Sequence, residues 1–166
     1  TGLLVTQSGH GIVELNEFKN HVGSQIEVSS QSDPLIRENS IHDGHLSGIL
    51  VVGLSSPVVE GNVVYHHPYP QVEVLDDAEP TIRGNKICYG EGAGVYIYQN
   101  AKGLVSENDI FQNTLSQIEV AEGATPTITD NKIHHGMCYG FYMHDGGSAR
   151  FVRNELYKHT HAQIKV

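Results

Sequence analysis

Basic residues are scarce in this chain of 166 residues: ten Lys and Arg stand beside 19 Asp and Glu, which gives a formal net charge of −9 at pH 7. Nucleic-acid binding relies on clustered Lys and Arg that contact phosphates, and anionic membrane surfaces attract the same residues. The shortage therefore argues against both classes of partner. A basic protein surface or an uncharged sugar is compatible with it.

The sequence also lacks a long run of apolar residues, a disulfide framework and an Asn-x-Ser/Thr sequon. The first absence predicts that no segment spans a membrane as a helix. Only two cysteines occur, Cys88 and Cys138, without the spacing of a disulfide-stabilised or zinc-binding domain. These features favour an intracellular protein, in the cytoplasm or nucleus, and we expect no cofactor.

What the sequence does contain is a repeat with a constant period of twenty-three. Seven of the ten Asn residues follow one another at that spacing, without an insertion or deletion: Asn16, Asn39, Asn62, Asn85, Asn108, Asn131 and Asn154. A fixed period of this length is typical of repeat architectures. We interpret the Asn series as structural, because Asn tolerates the left-handed backbone of a sharp corner and its amide can bond the equivalent Asn one coil away.

Apolar residues keep the same period at four positions: three places before each Asn and two, ten and twelve places after it. Around Asn62 these are Val59, Val64, Val72 and Val74, and every member of the four series is apolar. Positions ten and twelve differ by two, which is the period of one face of a strand. We predict an all-β fold, a single-stranded right-handed parallel β-helix of about seven coils with three short strands each, and expect all four series to pack inside.

The repeat predicts one β-helix domain over residues 1–166. Residues 2–6 are predicted to form a bare strand and residues 163–166 stop within a coil, with no capping helix or polar end coil. Uncapped solenoid ends expose strand edges, which drive association. We expect the chain to be part of a longer solenoid, or its ends to stack on other molecules.

Two types of coil alternate, so the underlying unit is a pair of coils with a period of forty-six. The residue nine positions after each Asn alternates strictly, and Gly2 of the preceding partial coil continues the series: Gly2, Gln25, Gly48, Gln71, Gly94, Gln117, Gly140, Gln163. Five positions after the Asn, His21, His67, Asn113 and His159 alternate with Gly44, Gly90 and Gly136. Packing of bulky residues over small ones would explain this alternation. Duplication of an ancestral pair of coils would produce the same pattern. The alternative explanation is that these residues bind a ligand.

The position eleven places after the Asn alternates as well, and it must point outward between two inward neighbours. This row and the residues beside it supply the predicted partner-binding residues: Glu27, Glu73, Tyr96, Tyr98, Glu119, Tyr142 and His144. Aromatic rings among carboxylates suit an extended basic peptide or a sugar.

Several segments resemble known repeats: SDPLIRENSIHDGHLSGILV, PTIRGNKI and GVYIYQNAKGLVSENDIF. They are similar to the β-helix repeats of carbohydrate-binding proteins and sugar hydrolases (the CASH type), and above all to those of the F-box-only proteins. The resemblance covers essentially all seven coils. It implies a right-handed β-helix that serves as the substrate-recognition arm of a ubiquitin-ligase subunit, although no F-box is visible in these residues.

Catalysis is the first alternative to binding. Candidate groups are Glu73, Asp76, Asp77 and Glu79 with Arg83. All turns have one length, so no loop rises to form a lid, and carboxylates on a flat, open face act in a high dielectric. We therefore predict no catalytic residue.

A metal site is the second alternative. Cys138 and His161 both lie seven places after their Asn, so they should stack on adjacent coils. Their spacing matches no standard zinc motif, and we predict no bound metal. Cys88 and Cys138 lie two coils apart, beyond the roughly 7 Å limit for a disulfide.

The leading hypothesis is a non-catalytic binding scaffold or substrate-recognition arm that presents a flat ladder surface to a protein partner. One alternative is a carbohydrate-binding or carbohydrate-active β-helix, which would use the same face. A second is a self-assembling structural solenoid, which would use the uncapped ends.

Overall fold

The chain winds into a parallel β-helix of 22 short strands without a helix. The computed structural model describes all residues from 1 to 166. Each strand pairs in parallel with the equivalent strand of the next coil, as Val72 pairs with Val95. This arrangement confirms the predicted fold class. No element has the helical length and apolarity needed to cross a membrane.

The strands form three sheets that run along the solenoid. Sheet A contains β1 (Leu3–Val5), β4 (Ile26–Val28), β7 (Ile49–Val51), β10 (Val72–Val74), β13 (Val95–Ile97), β16 (Ile118–Val120), β19 (Phe141–Met143) and β22 (Ile164–Lys165). Sheet B contains β2 (Ile12–Glu14), β5 (Leu35–Arg37), β8 (Val58–Glu60), β11 (Thr81–Arg83), β14 (Leu104–Ser106), β17 (Thr127–Thr129) and β20 (Arg150–Val152). Sheet C contains β3 (Glu17–Lys19), β6 (Ser40–His42), β9 (Val63–Tyr65), β12 (Lys86–Cys88), β15 (Asp109–Phe111), β18 (Lys132–His134) and β21 (Glu155–Tyr157).

The four apolar series fill the interior of the solenoid. In the internal coils their side chains are fully buried, as Ile82, Ile87 and Val95 are. The last coil differs, because no further coil covers it: Ile164 is 49% exposed and Val166 is 83% exposed. The expectation that every member of the four series packs inside is therefore wrong for these two.

The corner between sheets B and C is held by the asparagine ladder. The backbone N and the Nδ2 of Asn62 both donate hydrogen bonds to Oδ1 of Asn85, at 2.9 and 3.0 Å. Asn62 Nδ2 also donates to the carbonyl of Ile36, at 2.9 Å. The predicted amide ladder is confirmed.

The left-handed backbone at this corner does not lie at the asparagines, where we expected it. The residue before each asparagine adopts it instead, with φ of 53° at Glu38 and 64° at Gly61. Because the chain turns one residue earlier, the Asn N–H points along the axis toward the amide oxygen of the next coil.

The two-coil period is explained by packing in the turn between sheets C and A. Gln71 is fully buried, and its Nε2 would lie 2.1 Å from a Cβ placed on Gly90. Likewise, a Cβ on Gly48 would lie 2.9 Å from a ring carbon of His67. Large polar side chains of one coil type therefore occupy the space above the glycines of the other.

Candidate functional site

The predicted binding residues lie on the outer face of sheet A, in a line that we call the Glu/Tyr row. It consists of Glu27, Leu50, Glu73, Tyr96, Glu119, Tyr142 and Lys165, one residue per coil in direct register. Glu73 is flanked in β10 by the fully buried Val72 and Val74, so its side chain points away from the core. The sequence thus predicted the position of this row correctly.

The first cluster on the row joins Glu73 to two rings of the next coil. Tyr98 Oη donates a hydrogen bond to Glu73 Oε1 at 2.8 Å, and the Ser47 hydroxyl donates to the other carboxylate oxygen. The Tyr96 and Tyr98 rings stack with their centroids 4.4 Å apart. Burial, and then the bond to Glu73, raise the pKa of Tyr98; burial, and then Glu119, raise the pKa of Tyr96 to about 12. Both phenols are therefore neutral donors at physiological pH.

The second cluster repeats this arrangement two coils later. His144 Nε2 lies 3.0 Å from Glu119 Oε1, and the His144 ring stacks on Tyr142 with centroids 4.3 Å apart. Burial lowers the pKa of His144, but the contacts with Glu119 and Asp145 outweigh it and raise the pKa above its ordinary value. A carboxylate held by a stacked ring pair is therefore the repeated unit of this face.

Glu27 stands apart from both clusters. Its neighbour on the row is Leu50, and its carboxylate accepts a hydrogen bond from the Thr1 hydroxyl at 3.2 Å. The structure brings the other six predicted residues together and leaves Glu27 at the end of the row.

A depression of about 370 Å³ opens between the clusters. Glu73, Tyr96 and Glu119 line it from sheet A. The turn residues Pro68–Pro70, Gly92–Ala93 and Leu115 form its side. The depression is open to solvent and no loop closes over it, because every coil has the same length.

The far end of the row shows how its rings hold a cation. The ammonium group of Lys165 lies 4.4 Å from the centroid of Tyr142 and 4.7 Å from that of Tyr139. Two coils earlier, Ala93 occupies the place of Tyr139 and Glu119 the place of Lys165. The Tyr96 ring therefore has carboxylates on both sides and no cation of its own.

Sequence analysis missed a second line of rings, on the outer face of sheet C. His42 stacks on Tyr65 with centroids 4.7 Å apart, and Phe111, His134 and Tyr157 stack in the same way at 4.9 and 5.0 Å. These residues all lie three positions after a ladder asparagine. This common position could have predicted the line of rings. The pattern is hard to recognise because His, Tyr and Phe all occur there and do not alternate regularly from coil to coil.

The candidate catalytic groups do not assemble. Arg83 lies on sheet B, where its guanidinium is 2.9 Å from Glu60, while Glu73 lies on sheet A and bonds Tyr98. Asp76 and Asp77 occupy the turn between the two sheets in the left-handed conformation, with φ of 56° and 59°. No constellation of acid and base around a closed cavity results.

Metal-ligating side chains do not converge either. No group of three or more His, Cys, Asp or Glu residues is arranged to hold a metal ion. Cys138 and His161 do lie on adjacent coils, where His161 N donates to the Cys138 carbonyl at 3.2 Å. Cys88 and Cys138 are both free, as their predicted separation requires.

Comparison with protein families gives one description for the whole chain. The family model for a right-handed β-helix region matches residues 1–68 and 47–166. Comparison with curated proteins gives no match. The resemblance to the repeats of the F-box-only proteins is not tested by these results and stays a prediction.

Two solved structures share the fold. The A-module of the mannuronan C-5 epimerase AlgE4 from Azotobacter vinelandii superposes with a TM-score of 0.55 at 15% identity, over 86% of this chain and 61% of that one. The pectate lyase Pel9A superposes with a TM-score of 0.50 at 8% identity, over 85% of this chain and 52% of that one. The chain thus spans only part of each structure, and the likeness at these identities concerns the fold.

Proposed function

Because the chain belongs to the right-handed β-helix family, a fold that presents long regular faces, we propose that it is a non-catalytic recognition module. Its ligand is an extended, basic segment of a protein partner, bound along the Glu/Tyr row. The observation that carries this proposal is the ammonium group of Lys165 on the rings of Tyr142 and Tyr139.

The depression at Tyr96 also combines an aromatic ring with carboxylates, but no cation of the protein itself lies on this ring. A Lys or Arg side chain of a partner would lie over the Tyr96 ring, between Glu73 and Glu119. Attraction between a cation and an aromatic face contributes about 0.5–2 kcal/mol, depending on desolvation. The net charge of −9 adds a long-range attraction for basic segments.

The two clusters suit an extended ligand rather than a compact one. Equivalent residues of the clusters lie two coils apart, which is about 9.6 Å at the usual strand spacing. A peptide in the extended polyproline II conformation advances about 3.1 Å per residue and repeats every three residues, so side chains three residues apart lie on one side and would reach both clusters.

The direct test is binding of a fluorescent pentalysine peptide, measured by anisotropy, with pentaglutamate as the charge-reversed probe. We expect Tyr96→Leu to weaken pentalysine binding by about fivefold, because it removes the ring and leaves the charge unchanged. Glu119→Gln should weaken it as well. The matched controls lie on sheet C, Tyr89→Leu for the ring and Glu155→Gln for the charge, and should bind as the parent does.

Equal losses in the sheet A and sheet C variants would mean that the peptide follows only the diffuse negative field of the protein. Equal binding of pentalysine and pentaglutamate would remove the basis for a basic partner. Either result overturns the proposal.

Binding of an uncharged polysaccharide along the same row is the second candidate. The fold is shared with a mannuronan epimerase and a pectate lyase, two enzymes that act on polysaccharides, and the rings of the row can stack on sugars. The net charge of −9 selects an uncharged polysaccharide over the polyanions named for those enzymes. A glycan array probed with the purified chain distinguishes the two candidates. Sugar binding would be lost in Tyr96→Leu and would change little with salt, whereas peptide binding falls as salt rises.

A further inference from the structure

The largest depression of the surface lies on a different face of the solenoid from any predicted site. It measures about 470 Å³ and opens on the outer face of sheet C, between β9 and β12. Its lining includes Val63 and Tyr65 from β9, Lys86 and Cys88 from β12, and the turn residues His66 and Tyr89. Apolar atoms provide most of this lining.

The depression exists because the line of rings on sheet C is interrupted. Tyr65 and Phe111 are two coils apart, and the residue between them at the same position is Cys88, whose side chain is small and only 2% exposed. One face of the Tyr65 ring is covered by His42, at 4.7 Å with the planes 10° apart. The other face is directed toward the gap above Cys88.

Two further rings line the depression, His66 and Tyr89. The His66 ring is steeply inclined to Tyr65, at 73°, and the Tyr89 ring to Phe111, at 82°. Neither therefore stacks face to face in the gap, and a flat ring can lie parallel to the free face of Tyr65.

The charge at this place differs from that of the protein as a whole. Four of the basic side chains pair with carboxylates: Lys19, Arg37, Arg83 and Arg153. Lys86 has no such pair; its ammonium group lies 5.4 Å from the centroid of Phe111. The nearest carboxylate on its row, Asp109, is bound to His134 at 2.8 Å. A cation without a direct ion pair thus stands beside a mainly apolar depression.

We propose that this slot is a binding site for a small aromatic carboxylate. The ring of the ligand stacks on the free face of Tyr65 and covers Val63 and Cys88. Its carboxylate pairs with Lys86. Both the ring and the carboxylate of the ligand are needed, because the lining offers mainly apolar contact and a single cation. This site is independent of the Glu/Tyr row.

The test uses benzoate as the probe and benzamide as its uncharged counterpart, each titrated into the labelled protein and followed by amide chemical shifts. We expect benzoate to shift the signals of Val63, Tyr65 and Cys88 and to bind more tightly than benzamide. Lys86→Met should weaken benzoate binding by about threefold and abolish the preference over benzamide, since it removes an exposed ion pair and leaves the apolar contacts in place.

The chain supplies a matched control for that variant. Lys132 occupies the same position as Lys86 two coils further along sheet C, but it does not line the depression. Lys132→Met should bind benzoate as the parent does. Cys88→Phe fills the gap with a ring and should prevent binding of both probes. Urea denaturation of this variant checks that it still folds.

Two results would overturn the proposal. One is an absence of shifts at the slot with millimolar benzoate. The other is an equal effect of Lys86→Met and Lys132→Met, which would trace the affinity to general charge.

Discussion

The amide of Asn85 connects three neighbouring coils at once. Its Nδ2 donates to Val59 O, Arg83 O and Asn108 Oδ1 at 2.9–3.0 Å. Its Oδ1 accepts from the backbone N and the Nδ2 of Asn62. Removal of the amide leaves the buried backbone N–H of Asn62 without its acceptor, and an unpaired buried group costs about 1–3 kcal/mol. Arg83 O and Asn108 Oδ1 keep the backbone N–H groups of Gly61 and Asn85 as donors.

We therefore expect Asn85→Ala to lower the free energy of unfolding by about 1–3 kcal/mol, as measured by urea denaturation. Asn16→Ala removes the same side chain from the exposed first coil, where no earlier coil contributes a carbonyl. Asn16→Ala should therefore lower the free energy of unfolding clearly less than Asn85→Ala does. Equal losses would show that burial does not determine the strength of the ladder.

His67 is the other residue whose environment predicts a measurable effect. It is fully buried, its Nδ1 has no hydrogen-bond partner, and burial lowers its pKa from 6.5 to about 4. The native state therefore keeps His67 neutral at a pH where the unfolded chain binds a proton. Above pH 6.5 His67 is neutral in both states and does not lower the free energy of unfolding. As the pH falls toward 4, protonation of the unfolded chain progressively lowers it.

His67→Asn tests this linkage, because Asn113 occupies the equivalent position two coils further along. Between pH 6.5 and pH 4 the parent should lose about 3 kcal/mol relative to the variant. The measurement is the free energy of unfolding at several pH values for both proteins. Parallel curves would contradict a neutral, buried imidazole at this place.

At the corners between sheets B and C, the sequence predicts the amide ladder but not the residue that adopts the left-handed backbone. The amide ladder was predictable because one residue type recurs at one spacing. The left-handed residue before it was not, because Leu15, Glu38, Gly61 and Arg153 share no side-chain property. There the backbone conformation is imposed by the stacked coils and not by the residue that adopts it.

At the scale of a turn, the two coil types fit together through Gln71 and Gly90. A Cβ on Gly90 would approach Gln71 Nε2 to 2.1 Å, whereas a Cβ on Gly94 would approach the backbone oxygen of Gln117 to 2.5 Å. The first obstacle is a side chain and the second is main chain. Truncation of the glutamine can relieve only the first.

A double-mutant cycle measures this difference. We expect Gly90→Ala to destabilise the protein by about 1–3 kcal/mol through overpacking, and Gln71→Ala in the same chain to recover part of that loss. Gly94→Ala should be at least as harmful, and Gln117→Ala should not rescue it. Additive effects of Gly90→Ala and Gln71→Ala in urea denaturation would refute the fit between the coils.

The sheets show why the candidate site was predicted in outline only. Alternation along a strand is enough to place Glu73, Tyr96 and Glu119 on one outer row. The bond from Tyr98 to Glu73 and the contact of His144 with Glu119 depend on side-chain conformations across coils, which spacing does not encode. The slot above Cys88 arises because the line of rings on sheet C has a small residue where its neighbours have rings. The identity of Cys88 alone does not indicate that a depression forms there.

For the whole molecule, the two ends determine how chains can meet. The last coil exposes side chains of the apolar core series, with Ile164 49% and Val166 83% exposed. Strand edges and apolar surface of this kind favour association. We predict that this chain forms end-to-end oligomers as its concentration rises, measured by analytical ultracentrifugation.

The double change Ile164→Lys with Val166→Lys should reduce this association, because it charges one end face. Leu54→Lys introduces the same charge on a side turn, where the leucine is 60% exposed, and should leave it unchanged. A monomer at every concentration would exclude a self-assembling solenoid for this chain.

The alternation of glycine with large polar residues gives the solenoid a parity rule. Loss of two coils, such as residues 63–108, would set Gly48 beneath Gln117 in place of Gln71, and the joint would close as before. Loss of a single coil, such as residues 63–85, would set Gly48 against Gly94 and open a void. The solenoid can therefore be lengthened or shortened without a defect only by an even number of coils.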